Sequence, residues 1–139
     1  MVDDVKASRK LVNTFRIQVR WGDLDANRHI NNVVYFTYME QARIDWLERI
    51  GMQNTPRDEG PVVVQTSCNY RKAIPYVEAL DVRVYVGAAA RTSFPTWYEI
   101  VSADDSALIY ADGQAIMVWT GRESGVSRPV PEDLRALLA

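Results

Sequence analysis

The chain holds one cysteine and one histidine among its 139 residues. A single cysteine, Cys68, excludes an internal disulfide and suits a reducing compartment. Mid-strand and without an adjacent base, it reads as an inert thiol. One histidine with neighbouring carboxylates is too thin for zinc, so no metal site is expected. Gly-x-Ser-x-Gly elbows, P-loops and dinucleotide fingerprints are all missing, which argues against the serine-triad and nucleotide classes. Charge of one sign is missing too: a formal net charge of −2 leaves no broad basic surface for nucleic acid or anionic lipid. No apolar run approaches the roughly 20 residues that span a bilayer. Met1-Val2-Asp3-Asp4 opens acidic with no hydrophobic block behind it, so no secretory leader is expected and the cytoplasm is the default.

What is present is ordinary for a globular protein, 47% hydrophobic and 24% charged, and its length points to one domain over 1–139. Residues 1–14 carry no pattern and read as an arm or the lead-in to a first strand. Phe15 to Trp21 alternates apolar and polar, a half-buried strand. Asn32 to Ile50 has helical spacing through Tyr35, Met39, Ala42 and Trp46, and Gly51 follows as a left-handed stop. Those nineteen positions make about 28 Å of helix. After a Pro/Gly loop at 56–61, β patterning dominates: Val62–Lys72, Leu80–Val86, Phe94–Ser102 and Ala107–Thr120. Asp104-Asp105-Ser106 supplies a hairpin turn, and Asp112-Gly113 is expected to mark a bulge. Pro131–Leu138 closes the chain as a short helix.

Five strands at about 4.8 Å spacing span roughly 20–24 Å, a width one such helix crosses. The order therefore predicts an α+β fold, one long helix packed on a five-stranded antiparallel sheet. Tyr85, Trp97 and Tyr110 on the opposite sheet face suggest a homo-oligomer.

The most informative segment is Trp21-Gly22-Asp23-Leu24-Asp25-Ala26-Asn27-Arg28-His29-Ile30-Asn31-Asn32. It puts two carboxylates, a carboxamide and the histidine at alternate positions just before a helix. Helix starts offer unpaired N–H groups and a positive dipole end, suited to a polarised carbonyl or an oxyanion. A carboxylate beside them can act as base or nucleophile. The Asp-x-Asp-x-Asn spacing is also that of a calcium loop, but the sixth position is Arg28 and the twelfth Val34, which exclude it.

These residues, with Val19-Arg20 before them and Tyr35-Phe36, Tyr38–Arg43 and Val63–Tyr70 after them, resemble the hotdog-fold acyl-CoA thioesterases of the 4-hydroxybenzoyl-CoA thioesterase type. The likeness covers about residues 13–120. It implies a five-stranded antiparallel sheet wrapped around one long central helix, a homodimer or homotetramer with joined sheets, and an active site at the dimer interface. It further implies that Asp25 is catalytic and that amides around Asn31, Asn32 and Val33 polarise the thioester carbonyl. Coenzyme A enters only as part of the substrate, and no other cofactor is implied. The loop also resembles that of plant acyl-carrier-protein thioesterases, in which an Asp, an Asn and a His act together. These correspond to Asp25, Asn27 and His29. Where the plant enzymes carry an acid and a cysteine, this chain has Ala73 and Ile74, so that part of their mechanism is missing. Glu40 on the helix is the substitute acid the sequence offers.

Each residue also has a plainer reading. Asp25 can cap its own turn, Asn31 and Asn32 can be helix caps, and Asp23 can hold the loop by pairing with Arg20. Tyr35, Phe36, Met39 and Trp46 can be core rather than acyl pocket. For the coenzyme A phosphates the candidates are Arg71, Lys72, Arg91 and Ser93, at strand ends and a hairpin. Three other functions stay open beside the acyl-CoA hydrolase: an acyl-carrier-protein thioesterase, which the missing acid and cysteine disfavour, a non-catalytic module that binds acyl-CoA or an acyl carrier protein, and a hydratase acting on enoyl thioesters.

Overall fold

A computed structural model describes residues 8–52 and 58–139. Residues 1–7 of the expected arm, and the first two residues of the 56–61 loop, lie outside that range. Strands β1 (Lys10–Gln18), β2 (Glu59–Tyr70), β3 (Ala79–Val86), β4 (Ser93–Ser102) and β5 (Ile109–Gly121) form one antiparallel sheet in the order β1-β3-β4-β5-β2. Between β1 and β2 runs the long helix α1 (Val34–Arg49), and α2 (Glu132–Leu138) closes the chain.

The inward positions of β3, β4 and β5 are apolar and buried: Val82 and Val84, Phe94 and Tyr98, Met117 and Trp119. Against them α1 lays Tyr35, Tyr38, Met39, Ala42, Trp46 and Leu47. Burying each large side chain contributes about 1.5–3 kcal/mol. The helix packs closest on β3, β1 and β4, so its flank toward β5 and β2 is the less covered one. Gly51, at φ +82°, terminates it as the left-handed stop.

Several boundaries differ from the sequence pattern. The first strand starts at Lys10 rather than Phe15 and ends at Gln18, and Trp21–Asp23 forms a tight 3-10 turn with Trp21 exposed. The helix has sixteen residues, not nineteen, and is about 24 Å long. Glu59 to Pro61, expected as loop, already belong to β2.

Asp112-Gly113 is not a bulge. Both residues keep regular register with β2 and β4, and the irregularity lies at Tyr110, unpaired between Ile109 and Ala111. Gly113 is required for a different reason. A Cβ there would lie 2.6 Å from Met39 Sδ and 2.9 Å from the Ser67 carbonyl oxygen. The bulge also takes Tyr110 out of the alternation that assigned it to the outer face, and it is buried. Tyr85 and Trp97 remain half-exposed, with the Arg9 guanidinium stacked 4.2 Å over the Tyr85 ring.

Candidate active site

The loop after β1 folds back on itself. The Asp25 amide donates to the His29 carbonyl at 2.8 Å, the Arg28 amide to the Asp25 carbonyl at 3.0 Å, and Leu24 bridges Ile30. Closing so short a hairpin puts Arg28 at φ +61°, the left-handed region that side chains seldom adopt. His29 and Ile30 then pair with Pro75 and Ile74 beyond the end of β2, which fixes the hairpin to the sheet.

Asp25 is half-buried at the base of this hairpin. Its Oδ1 accepts from the main-chain amides of Asn27 at 2.8 Å and His29 at 3.3 Å. Among the described residues Oδ2 has no hydrogen-bond partner. The carboxylate is therefore oriented by its own turn, with one oxygen bound and the other open. Asn27 and His29 do meet Asp25, but through their backbones. Both are exposed, and their side chains make no hydrogen bond within the described residues. The local contact foreseen for Asp25 as a turn cap is thus real, and it occupies half of the carboxylate.

At the helix start the three candidate amides have different fates. The Asn31 amide donates to the Asp23 carbonyl at 2.9 Å, and the Val33 amide to Asn31 Oδ1 at 3.1 Å. Nothing among the described residues accepts from the Asn32 amide, so it is the one open donor of the three. Asn31 is the residue that caps, through its carboxamide and through a carbonyl bonded to the Val34 amide. Asp23 is buried and holds the loop, with Arg20 and Tyr38 as partners.

Two residues that loop spacing did not single out complete this corner. Tyr70, at the end of β2, donates its hydroxyl to the Asn32 carbonyl at 2.9 Å, and its ring meets Tyr35 edge-on at 4.8 Å. Burial first, then the neighbouring Cys68, Tyr70 and Asp25, push the Tyr35 hydroxyl above its ordinary value despite the Ile74 backbone beside it. Burial likewise raises the Cys68 thiol to about 11, keeping it protonated and inert at neutral pH. Tyr70 lies thirty-eight residues from Asn32, so only the β2 pattern in the resemblance hinted at it.

The phosphate candidates do not come together within one chain. Arg71 and Lys72 follow Tyr70, which pairs with Ala111, whereas Ser93 pairs with Val118. Seven residues of β5 separate the two pairs, about 23 Å of strand. Arg71 is also engaged by Asp112 through two hydrogen bonds, at 2.7 and 3.3 Å. The four pocket candidates divide as well. Tyr35, Met39 and Trp46 are core, and Phe36 together with Met39 lines a cavity of about 190 Å³ between α1 and the β2–β5 side of the sheet, with Glu40 at its exposed rim. Among the described residues no three His, Cys, Asp or Glu side chains converge as a metal would need, and no helix is long and apolar enough to cross a membrane.

Comparison with known proteins agrees with this architecture. The profile of the thioesterase-like superfamily matches residues 19–138. The chain belongs to that superfamily. Among solved structures, this thioesterase-like chain is similar to a Pseudomonas aeruginosa protein provisionally named a thioesterase. The two are 35% identical, covering 94% of this chain and 100% of the other, with a TM-score of 0.87. It also resembles a provisionally named acyl-CoA thioesterase from Xanthomonas campestris, 32% identical over 79% of this chain and 93% of the other, with a TM-score of 0.71. An uncharacterized Bacillus subtilis protein, YsmA, is 29% identical over 79% of this chain and 74% of its own. The hotdog fold of the thioesterase-like superfamily is the arrangement described above.

Proposed function

We propose that this chain hydrolyses acyl-CoA thioesters to the free acid and coenzyme A, as a homo-oligomer in the cytoplasm. The observation that carries the reading is the half-engaged carboxylate of Asp25 beside a helix start with an open amide. Two main-chain N–H groups orient Oδ1, and Oδ2 is left to attack a thioester carbonyl or to take a proton from water. The Asn32 N–H then donates to the carbonyl oxygen as negative charge develops on it. Because the acid and the thioester react without redox change, no metal or organic cofactor is called for.

Asp25 is half-buried on the outer side of its hairpin, and the reading places a second copy of the chain opposite it. β2 is the exposed edge of the sheet, with Val62, Val63 and Val64 all more than a third exposed. Pairing of two such edges extends the sheet and brings a second subunit against the Tyr70 end of β2. In that setting Phe36 and Met39 serve the acyl group, and family relatives named for acyl-CoA hydrolysis support the choice of thiol.

The test is thiol release from purified protein across short, long and aromatic acyl-CoAs, with Asp25→Asn as the control. Loss of at least about a hundredfold in kcat, nearly 3 kcal/mol of barrier, is expected with fold and oligomer intact. A variant within about tenfold of the unaltered protein removes Asp25 from the chemistry. Saturable acyl-CoA binding without thiol release would make the chain a binding module instead, and a product that keeps its thioester would make it a hydratase.

A further inference from the structure

Arg43 lies inside the protein with no acid paired to it among the described residues; its guanidinium sits 5.9 Å over the Tyr98 ring. Arg43 is only 8% exposed, and a buried charge is ordinarily paired. Its Nη1 donates to the Tyr98 hydroxyl at 3.2 Å, which shares a 2.6 Å hydrogen bond with Thr96 Oγ1. Thr96 donates in turn to the Ala115 carbonyl at 2.8 Å, so the series ends on main chain and no acid enters it. Among the described residues no Asp or Glu oxygen lies within 4.0 Å of this guanidinium. A guanidinium has five N–H donors, and no buried side-chain nitrogen is left without a partner. The unused donors therefore reach open space.

That space is the cavity of about 190 Å³, which Arg43 and Tyr98 line together with Phe36, Met39, Thr66 and Gln114. Phe36, Met39 and Arg43 follow at three- and four-residue steps, one face of α1. Arg43 comes eleven residues after Asn32, about 16 Å along the axis, and long helix side chains lean back toward the helix start. On the hydrolase reading, an acyl group whose carbonyl rested at Asn32 and whose tail followed this face of α1 would pass Phe36 and Met39 and reach Arg43.

We propose that Arg43 determines specificity by receiving a carboxylate at the far end of the acyl group, so that the substrates are monothioesters of short dicarboxylic acids. The proposal rests on the hydrolase reading above. Planar guanidinium and carboxylate match as a two-pronged pair, and a bound carboxylate supplies the missing countercharge. Size agrees: a cavity of about 150 Å³ admits benzene, so this one, of about 190 Å³, has room for a chain of about six carbons. Glu40 is exposed at the rim and beyond pairing distance, where water screens it.

Initial rates with adipoyl-CoA and hexanoyl-CoA, matched at six carbons, decide the matter. The unaltered protein is expected to favour adipoyl-CoA in kcat/KM by about tenfold or more. Arg43→Met, close in size and uncharged, is expected to lose that margin while keeping hexanoyl-CoA turnover within about threefold. Equal kcat/KM for the two substrates in the unaltered protein, or a parallel fall of both in the variant, overturns the proposal and leaves thioester hydrolysis standing. If neither is cleaved, the hydrolase reading fails and binding alone decides the subsite. Free adipate that raises the melting temperature of the unaltered protein, but not of Arg43→Met, supports it, and no rise overturns it.

Discussion

The hydroxyl of Tyr38 donates to Asp23 Oδ2 across 2.7 Å, tying the second turn of the long helix to the loop that carries Asp25. Burial pushes the Asp23 carboxyl up, but hydrogen bonds from Tyr38 and from the Arg20 amide and guanidinium outweigh it and hold the group below its usual range. Burial first, and then Asp23, push the Tyr38 hydroxyl well above its own ordinary value. Tyr38→Phe removes one donor from a buried anion and is expected to cost about 1–3 kcal/mol in urea denaturation.

The same pair sets an acid limb. A carboxyl whose folded value is depressed contributes stability above its unfolded value, near pH 4, and loses that contribution as pH falls through the lower folded value. Stability of the unaltered protein should therefore fall as pH drops below about 4, and Tyr38→Phe should show a shallower fall on that limb. Urea midpoints taken across it measure the difference, and identical slopes would mean that the contact does not shift the carboxyl.

Because the backbone of the turn, and not its side chains, holds Asp25, Asn27→Ala and His29→Ala are expected to keep the carboxylate in place. Their losses in kcat should stay within about tenfold, roughly 1.4 kcal/mol, far short of Asp25→Asn. Steady-state rates on one substrate decide this. A loss at His29 equal to that at Asp25 would give the imidazole a direct part in the chemistry.

At Gly113 even alanine is too large. The added Cβ would meet Met39, which can turn aside, and the Ser67 carbonyl, which is part of β2 and cannot. Gly113→Ala should cost about 1–3 kcal/mol, and a second change, Met39→Ala, should not restore it. Thermal or urea unfolding of both variants checks the order.

Val64 sits unpaired where the β2 register shifts, and it is 58% exposed on the sheet edge. If two copies join along this edge, Val64→Lys sets like charges against each other there. Analytical ultracentrifugation should find the unaltered protein as a dimer or larger and the variant shifted toward the monomer.

The sequence was most legible where one side of an element is uniformly apolar. Leu80, Val82, Val84 and Val86 alternate in the pattern and are all fully buried in β3. The start of β1 was hidden because its inward position is Asn13, a polar residue matched by Asp45 Oδ2 at 2.9 Å rather than by the core. The helix starts two positions later than the asparagines suggest, because Asn31 accepts from the Val33 and Val34 amides and so holds a turn over Asn32–Val33 ahead of the first regular helical residue. Asp112-Gly113 looks like a bulge to any local rule, whereas the need for glycine comes from Met39, seventy-four residues away. Within the site, the placement of Asp25 before a helix was readable, because it depends on neighbours in the chain. That Tyr70 meets Asn32, and that Arg71 and Ser93 stand apart, follow from strand pairing, which spacing along the chain does not encode.

The turn around Asp25 closes on its own peptide groups, and its attachments to the rest of the protein run through Ile30, Pro75 and Asp23. The cavity beside Phe36, Met39 and Arg43 shares none of those attachments. On the proposed reading, residues there could be exchanged to retune the acyl group while the Asp25 carboxylate keeps its aim.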